Sequence, residues 1–286
     1  MLVDLHSHST ASDGSVPPSE LPGLFFNSGV AIAGLTDHDT DGGLDDFLAA
    51  CDRVGIIGVP GIEFTTRHRN REVHLLGYGL NRESTPFRTF IKRHHARLRE
   101  RCSKTCARLA EYGFSVSIDH IYELSNGNPP MPPYVLKALA DEGYLSTYDE
   151  AINFFREYLT YNAKAWVDYE TPVEEPMKMI LESGGLAIVA HPVRLAGIDQ
   201  LEELLDMGAH GFELHYPDHD ANLMNVLEGI ALKRGCVVTG GCDYHGKYID
   251  RRIAQVEIPL EVGMKVLEHL KIPVPDNFAR WGELTI

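Results

Sequence analysis

Positive charge is scarce in this sequence of 286 residues. It has 26 lysines and arginines against 41 aspartates and glutamates, a formal net charge of -15. That balance argues against nonspecific binding of a nucleic-acid backbone through the overall field of the protein. It leaves room for an anionic substrate, because bound metal ions reverse the sign of the local charge.

Long apolar runs are also missing. No stretch reaches the roughly 18 apolar residues of a membrane-spanning helix, and the opening residues MLVDLHSHST lack the charged and apolar blocks of a secretion signal. The five cysteines are odd in number and scattered, with no CxxC pair, so the sequence predicts neither a disulfide framework nor a structural zinc ribbon. We therefore expect a cytoplasmic protein that does not bind membranes.

Two common catalytic motifs are absent as well. The sequence has no GxSxG, which leaves nucleophilic-serine chemistry without support. It also has no GxxxxGK[ST], the loop with which many nucleotide hydrolases bind phosphates. Any hydrolytic activity must therefore come from another set of side chains.

Short apolar runs alternate with helical patterns along most of the chain. Alternation of this kind predicts an α/β protein with a parallel sheet, and seven units approach the eight of a closed barrel. The predicted strands are Leu2–Leu5, Ala31–Leu35, Ile56–Val59, Val73–Gly77, Leu186–Val189, Gly211–Leu214 and Val237–Thr239. The helical patterns that follow them include 42–53, 173–183, 198–207 and 221–234.

One segment interrupts this alternation. Residues 82–164 predict four helices, at 87–112, 118–125, 133–142 and 148–158, and we interpret the segment as a helical insertion between the barrel segments 1–81 and 165–286. Its first helix lies in a basic stretch, since residues 82–108 carry nine lysines and arginines and two glutamates. A basic helix in an acidic protein is a candidate site for an anionic ligand, although a solvated helix face is the simpler interpretation.

Histidines and carboxylates collect where the predicted strands end. The first strand runs into His6 and His8, whose i, i+2 spacing allows both imidazoles to reach one metal ion. Because barrel strands present their carboxyl ends on one face, the other strand-end residues should meet these two. Those residues are Asp13, His38, Glu63, His191, Asp243 and His245, with His74 nearer the start of its strand and His215 and His219 as weaker candidates.

The same residues resemble a known family. Seven motifs are similar to those of the PHP (polymerase and histidinol phosphatase) domain. They are DLHSHS at 4–9, SDG at 12–14, TDHDT at 36–40, GIE at 61–63, HLLGY at 74–78, AHP at 190–192 and DYH at 243–245. The resemblance implies a distorted (β/α)7 barrel of the amidohydrolase-like type with a helical insertion. Within the family, the SDG and the insertion are most similar to small bacterial phosphoesterases that act on nucleotides.

The resemblance also implies two to three divalent metal ions. It assigns His6, His8, Glu63 and Asp243 to the first ion, and Glu63, His74 and His191 to the second. Asp13, His38 and His245 would hold a third ion, at a site weakened because many relatives have histidine at the position of Asp13. Ligands of imidazole and carboxylate alone suit Mn²⁺, our first choice, or Fe²⁺, Zn²⁺ or Mg²⁺.

A metal-bridging hydroxide held by Glu63, His191 and Asp243, with His38 and His245 assisting, would then attack a phosphate ester. We expect Asp13 and His38 to contact the substrate as well, Arg194 to bind its phosphate, and Arg99 on the basic helix to bind a second phosphate. Relatives often carry Gly-Arg-Pro-His in the insertion, where this sequence has 128–134; Tyr134 would replace that motif by stacking on a base.

The sequence thus predicts a metal-dependent phosphatase that removes the 3'-phosphate of 3',5'-bisphosphonucleosides, converting pAp to AMP. Three alternatives stay open: a 5'-3' exoribonuclease on short RNA, a histidinol-phosphate phosphatase, and a non-catalytic metal-binding PHP module. The expected partner is a small phosphorylated nucleotide or a short RNA, and no protein partner is implied.

Overall fold

The computed structural model describes residues 1–275 and 278. These residues divide into two compact units, one formed by 1–90 and the described residues from 172 onwards, and the other by 91–171. In the residues described, no helix is both long enough and apolar enough to span a membrane.

The first unit is built on a single sheet of seven strands in sequential order. The strands are β1 (Leu2–Asp4), β2 (Val30–Leu35), β3 (Ile57–His68), β4 (Arg71–Tyr78), β5 (Leu186–Val189), β6 (Gly211–His215) and β7 (Val237–Gly240). Backbone hydrogen bonds join the two ends of the sheet, from Leu5 N to Gly240 O at 3.0 Å and from His8 N to Tyr244 O at 2.8 Å. They close it into a barrel, and the predicted distorted (β/α)7 fold is confirmed.

The helices of this unit cover the barrel with their apolar faces. They are α1 (Leu21–Asn27) and α2 (Leu44–Val54), then, beyond the second unit, α7 (Glu174–Glu182), α8 (Ile198–Asp206), α9 (Ala221–Arg234) and α10 (Leu260–Leu270). In α2 the buried residues Leu44, Phe47 and Cys51 recur at helical spacing and pack into the main apolar cluster. Strand β2 is buried along its whole length, as a strand covered on both faces must be.

The direction of β4 differs from the prediction of a parallel sheet. β3 and β4 form an antiparallel hairpin, and β4 also pairs antiparallel with β5, whereas all other neighbours are parallel. The turn consists of Arg69 and Asn70, both with positive φ (50° and 59°), the conformation of a tight hairpin turn. Such turns are usually marked in a sequence by glycine after asparagine, and that signal is missing here.

The hairpin corrects two further expectations. β3 extends to His68, so Glu63 lies inside the strand and not at its end. Because β4 runs opposite to its neighbours, its first residues lie at the same end of the barrel as the last residues of the parallel strands. His74, near the start of β4, is therefore at the end of the barrel where the other predicted ligands lie.

The second unit is helical. It contains most of α3 (Thr85–Glu111), which begins in the first unit, followed by α4 (Ile118–Ser125), α5 (Pro132–Asp141), α6 (Tyr148–Phe154) and a π-helical turn at Phe155–Leu159. These bounds agree with the predicted helices to within a few residues. Its apolar core includes Leu109, Ile121, Val135, Leu139 and Phe154.

Candidate metal centre

Six histidines and three carboxylates meet at one end of the barrel. The loops after β1, β2, β5 and β7 supply His6, His8, Asp13, His38, His191, Asp243 and His245, and the hairpin supplies Glu63 and His74. All nine are the residues predicted from the sequence. The donor atoms of eight of them form three adjoining groups, in which those of each group lie within 4.8 Å of one another. The ninth, His191, adjoins the group of His38, Glu63 and His74 through its contact with Glu63 Oε1.

The first group surrounds the Nε2 atoms of His6 and His8, which lie 3.2 Å apart. Glu63 Oε2 is 3.0 Å from each of them, and Asp243 Oδ1 is 3.5 and 3.3 Å away. All four side chains are buried. Four ligand atoms converging at these distances match the spacing of a single metal coordination sphere.

The second group lies on the other oxygen of the same glutamate. Glu63 Oε1 is 2.8 Å from His74 Nδ1 and 3.0 Å from His191 Nε2. His191 has a φ of 30°, an uncommon backbone angle that residues at functional sites adopt. The two oxygens of Glu63 thus face different histidines, which is the arrangement of a carboxylate that bridges two ions.

The third group is the most open. Asp13 Oδ1 lies 3.3 Å from His245 Nε2, and Asp13 Oδ2 lies 3.8 Å from His38 Nε2. His8 also reaches this group, with Nδ1 3.6 Å from Asp13 Oδ1. His38 faces both ways, because its Nδ1 is 3.5 Å from Glu63 Oε2. The prediction assigned His8 and His38 to one ion each, whereas in the structure each of them lies in two of the groups.

Two carboxylates that the sequence analysis did not select hold the imidazoles in place. Glu213, buried in β6, accepts a hydrogen bond from Nδ1 of His6 at 3.0 Å and from the backbone N–H of His191 at 2.7 Å. Glu72 accepts from Nε2 of His74 at 2.8 Å. A carboxylate behind a ligand imidazole fixes its tautomer. The available signal was a glutamate within an otherwise apolar strand, GFELH.

The hydrogen bonds of three imidazoles test whether the site suits a metal. Carboxylate and carbonyl oxygens only accept, so His6 carries a proton on Nδ1, His74 on Nε2 and His245 on Nδ1, the last donating to Asp243 O at 2.9 Å. In the neutral tautomer the other nitrogen of each ring presents a lone pair to the cluster. Among the described residues, the buried Nδ1 of His8 has no hydrogen-bond partner. The donor set therefore fits divalent ions.

The protonation of each histidine at the site depends on its burial and on the neighbouring carboxylates. Burial opposes protonation of His8, but Asp243 and Glu63 outweigh it and raise the pKa of His8 to about 10. Burial likewise opposes protonation of His74, yet Glu63 and Glu72 raise its pKa to about 10. Burial dominates at His191 and lowers its pKa to about 4. Without metal, the cluster thus retains protons on some histidines, and these are the protons that cations would replace.

Asp4 and Asp37 lie close to the ligand residues and bind the surrounding backbone and hydroxyl groups. Asp37 accepts hydrogen bonds from Ser9 N at 2.7 Å and from the Ser12 hydroxyl at 2.5 Å, and Asp4 accepts from Cys242 N at 3.0 Å. They therefore fix the loops that carry the ligands. The weaker candidates His215 and His219 join none of the three groups found among the described residues.

The predicted substrate contacts lie in both units. Arg194 is in the barrel unit, where its Nη2 donates to the Tyr216 hydroxyl at 2.8 Å and to Asp243 Oδ2 at 3.3 Å. Arg99 and Tyr134 belong to the helical unit: Arg99 is exposed on α3, and Tyr134 is half-buried against that unit's apolar core. Their contacts with substrate stay a prediction.

Part of the basic segment is already neutralised. Lys104 forms ion pairs with Glu100 at 2.9 Å and Glu170 at 2.6 Å, and the guanidinium of Arg101 stacks 4.0 Å from the ring centre of Tyr169. Arg88 pairs with Glu83. The cationic surface on α3 is therefore smaller than the sequence count of 82–108 indicates.

A closed α/β barrel that brings nine imidazole and carboxylate side chains together at one end, in an arrangement that could hold metal ions, is typical of metal-dependent hydrolases. The PHP domain family matches residues 4–167, more than half of the chain, and the protein belongs to that family. The predicted class, a metal-dependent phosphoesterase, is confirmed, and the alternative of a non-catalytic module is not supported.

Relatives agree with this class. A phosphoribosyl 1,2-cyclic phosphate 1,2-diphosphodiesterase from Eggerthella lenta is 31% identical over 87% of this chain and 95% of its own. A 3',5'-nucleoside bisphosphate phosphatase from Chromobacterium violaceum is 29% identical over 85% of this chain and 87% of its own. The solved structure of an amidohydrolase from Chromobacterium violaceum superposes with a TM-score of 0.79 at 26% identity, covering 94% of this chain and 97% of its own.

Proposed function

We propose that the protein hydrolyses a phosphate ester on a ribose that carries a second phosphate, and that the substrate is a 3',5'-bisphosphonucleoside losing its 3'-phosphate. The observation that supports this most directly is the placement of Glu63. Its two oxygens face His6 and His8 on one side and His74 and His191 on the other, all at 2.8–3.0 Å. These residues would hold two ions close together, and such a pair would supply the positive charge that favours hydrolysis of a phosphate ester.

The chain's residues would hold two to three divalent ions, with Mn²⁺ as the proposed metal. His6, His8, Glu63 and Asp243 would bind the first, Glu63, His74 and His191 the second, and Asp13, His38 and His245 a third. Such ions supply positive charge for a phosphate and make a water nucleophilic at neutral pH. Three ions and three ligand carboxylates leave a net charge of +3, so a protein with a net charge of -15 can still attract a dianion.

The protein's own groups position the substrate around that charge. Asp13 is the most exposed of the nine ligand side chains, at 19%, so its group faces the solvent from which a phosphate ester enters. Arg194 has a side chain that is 48% exposed, and a guanidinium presents five donors, more than its contacts with Tyr216 and Asp243 use. Its remaining N–H groups can bind phosphate oxygens.

The two relatives favour a common substrate type. One name describes a phosphoribosyl cyclic phosphate and the other a nucleoside 3',5'-bisphosphate, so both describe a ribose with two phosphate groups. A cyclic phosphate diester is accordingly the second candidate. The exonuclease and the histidinol-phosphate phosphatase stay open as outcomes of the same test.

The test is product formation by the Mn²⁺-loaded protein from five compounds: adenosine 3',5'-bisphosphate, adenosine 3'-monophosphate, phosphoribosyl 1,2-cyclic phosphate, 5'-phosphorylated oligoribonucleotides and histidinol phosphate. An exonuclease would release mononucleotides from the oligoribonucleotides and no inorganic phosphate. The cyclic ester opens without releasing phosphate, so ³¹P NMR identifies the product in each reaction. The expected result is the highest kcat/KM on adenosine 3',5'-bisphosphate, with AMP as the product. A higher value on any of the other four would reject this substrate.

A further inference from the structure

The surroundings of Tyr216 contain a second cationic group that the sequence analysis did not consider. Arg251 lies in the loop after β7, with its guanidinium carbon 5.1 Å from the centre of the Tyr216 ring. The guanidinium carbon of Arg194 is 5.7 Å from the same ring centre. One tyrosine therefore holds two arginines within cation–π range.

This arginine pair adjoins the candidate metal centre. The Tyr216 hydroxyl donates to Asp243 Oδ2 at 2.8 Å, and the other oxygen of that carboxylate, Oδ1, faces His6 and His8. Asp243 thus separates the first metal group from the arginines. An anion beside Tyr216 would therefore lie one carboxylate away from a phosphate at the metals, close enough for both groups to belong to one substrate.

The loop that carries Arg251 is fixed to the barrel. Gln255 N donates to Cys242 Sγ at 3.1 Å, and Ala254 N donates to Asp4 Oδ2 at 3.4 Å. The side chain of Arg251 is only 9% exposed and forms an ion pair with Asp218. A preorganised guanidinium loses little conformational entropy when it binds a ligand. Asp218 and Asp243 balance the charges of the two arginines, so an anion beside Tyr216 would be held by their unused N–H groups and by the positive charge of ions at the adjoining centre.

A third group points to a ligand at the same tyrosine. His219 lies with its ring 5.4 Å from that of Tyr216 and donates from Nδ1 to Leu214 O at 2.9 Å. Its Nε2 is buried and has no hydrogen-bond partner among the residues described. A buried polar atom of this kind costs free energy unless something pairs with it, and a ribose hydroxyl is a donor of the required type.

From these positions we propose that Arg251, together with Arg194 beside Tyr216, binds the phosphate of the substrate that is not hydrolysed. The inference rests on the proposed function, because only a substrate with two phosphates uses this site. It assigns to the barrel unit a role that the sequence analysis gave to Arg99 in the helical unit. For a 3',5'-bisphosphonucleoside, the bound group would be the 5'-phosphate.

The test compares Arg251→Gln with the matched control Arg252→Gln, which removes the same charge at an exposed neighbouring position. In Arg251→Gln, kcat/KM should fall 10- to 100-fold for adenosine 3',5'-bisphosphate, mainly through KM, and less than 3-fold for adenosine 3'-monophosphate. This range corresponds to the loss of a charge-assisted hydrogen bond. Arg251→Lys should recover part of the loss, and Arg252→Gln should change neither value.

Equal losses on both substrates, or none, would overturn the proposal, as would a selective loss in Arg99→Ala but not in Arg251→Gln. A second measurement, the binding of AMP to the Mn²⁺-loaded protein by calorimetry, distinguishes failure of the Arg251 proposal from failure of the proposed function. If the wild-type protein hydrolyses neither nucleotide, weaker AMP binding by Arg251→Gln or by the more conservative Arg251→Lys still supports the phosphate site. Unchanged AMP binding in both variants would reject it.

Discussion

Glu213 Oε1 lies 3.0 Å from Nδ1 of His6, the ring nitrogen opposite the one that faces Glu63. This buried contact fixes His6 with its Nε2 towards the first metal group. The same carboxylate accepts from the backbone of His191, so one side chain supports ligands of two groups.

Replacing Glu213 by Gln should therefore weaken metal binding. The amide keeps the volume but loses the charge that favours the required tautomer, and such changes typically cost about 10- to 100-fold in metal affinity or activity. Chelator competition with Mn²⁺ measures the affinity. Glu203→Gln is the matched control, because Glu203 also contacts a histidine, His68, at 3.1 Å but outside the metal groups. Equal affinities in the two variants would contradict the role of Glu213.

Glu63→Ala should remove the first two ions together. Each oxygen of this carboxylate serves a different pair of histidines, so no other single side chain of the nine has the same reach. We expect a loss of at least two metal equivalents per chain and of nearly all activity. Elemental analysis of the purified variant, with circular dichroism to verify folding, provides the measurement. A folded variant with full metal content would refute the bridging assignment.

His245→Ala and His38→Ala should differ from each other. Among the three groups, His245 belongs only to the third, so its loss should lower turnover strongly and remove one metal equivalent. His38 also belongs to a group with Glu63 and His74, whose ligand atoms lie within 4.8 Å of one another, so its loss should weaken the second ion as well. Metal titration of the two variants tests this difference. Loss of all ions in His245→Ala would show that the third group is not separable.

Binding of metal ions should release protons from the protein, and the affinity for the ions should increase as the pH rises. The carboxylates raise the pKa of His8 and His74 to about 10, so both imidazoles are protonated in the metal-free protein at neutral pH. A pKa raised above the unfolded value of 6.5 stabilises the metal-free fold fully below pH 6.5, and this contribution is lost as the pH rises towards 10.

Metal affinity should accordingly increase between pH 6.5 and 10, while the unfolding free energy of the metal-free protein should fall. Calorimetry of Mn²⁺ binding in buffers of different ionisation enthalpy measures the protons released. A binding enthalpy that does not depend on the buffer would contradict the expectation.

Much of this architecture was predictable because each local pattern agreed with the fold. Apolar runs predicted the seven strands, and strand ends predicted the ligands, since parallel barrel strands share one functional face. The direction of β4 was not predictable, because the turn at Arg69 and Asn70 lacks the usual glycine. Glu213 and Arg251 were missed for a different reason. Their roles depend on contacts with His6 and Tyr216, which lie 207 and 35 residues away along the chain.

The closure of the barrel between β1 and β7 has a consequence for how the protein is made. His6 emerges from the ribosome early, but Asp243, which lies 3.5 Å from it in the first metal group, is synthesised 237 residues later. A nascent chain therefore carries half of a metal site through most of its translation. Bringing these distant segments together is entropically costly and slow. A metal ion that binds only when all of its ligands are in place would stabilise the product of the last folding step.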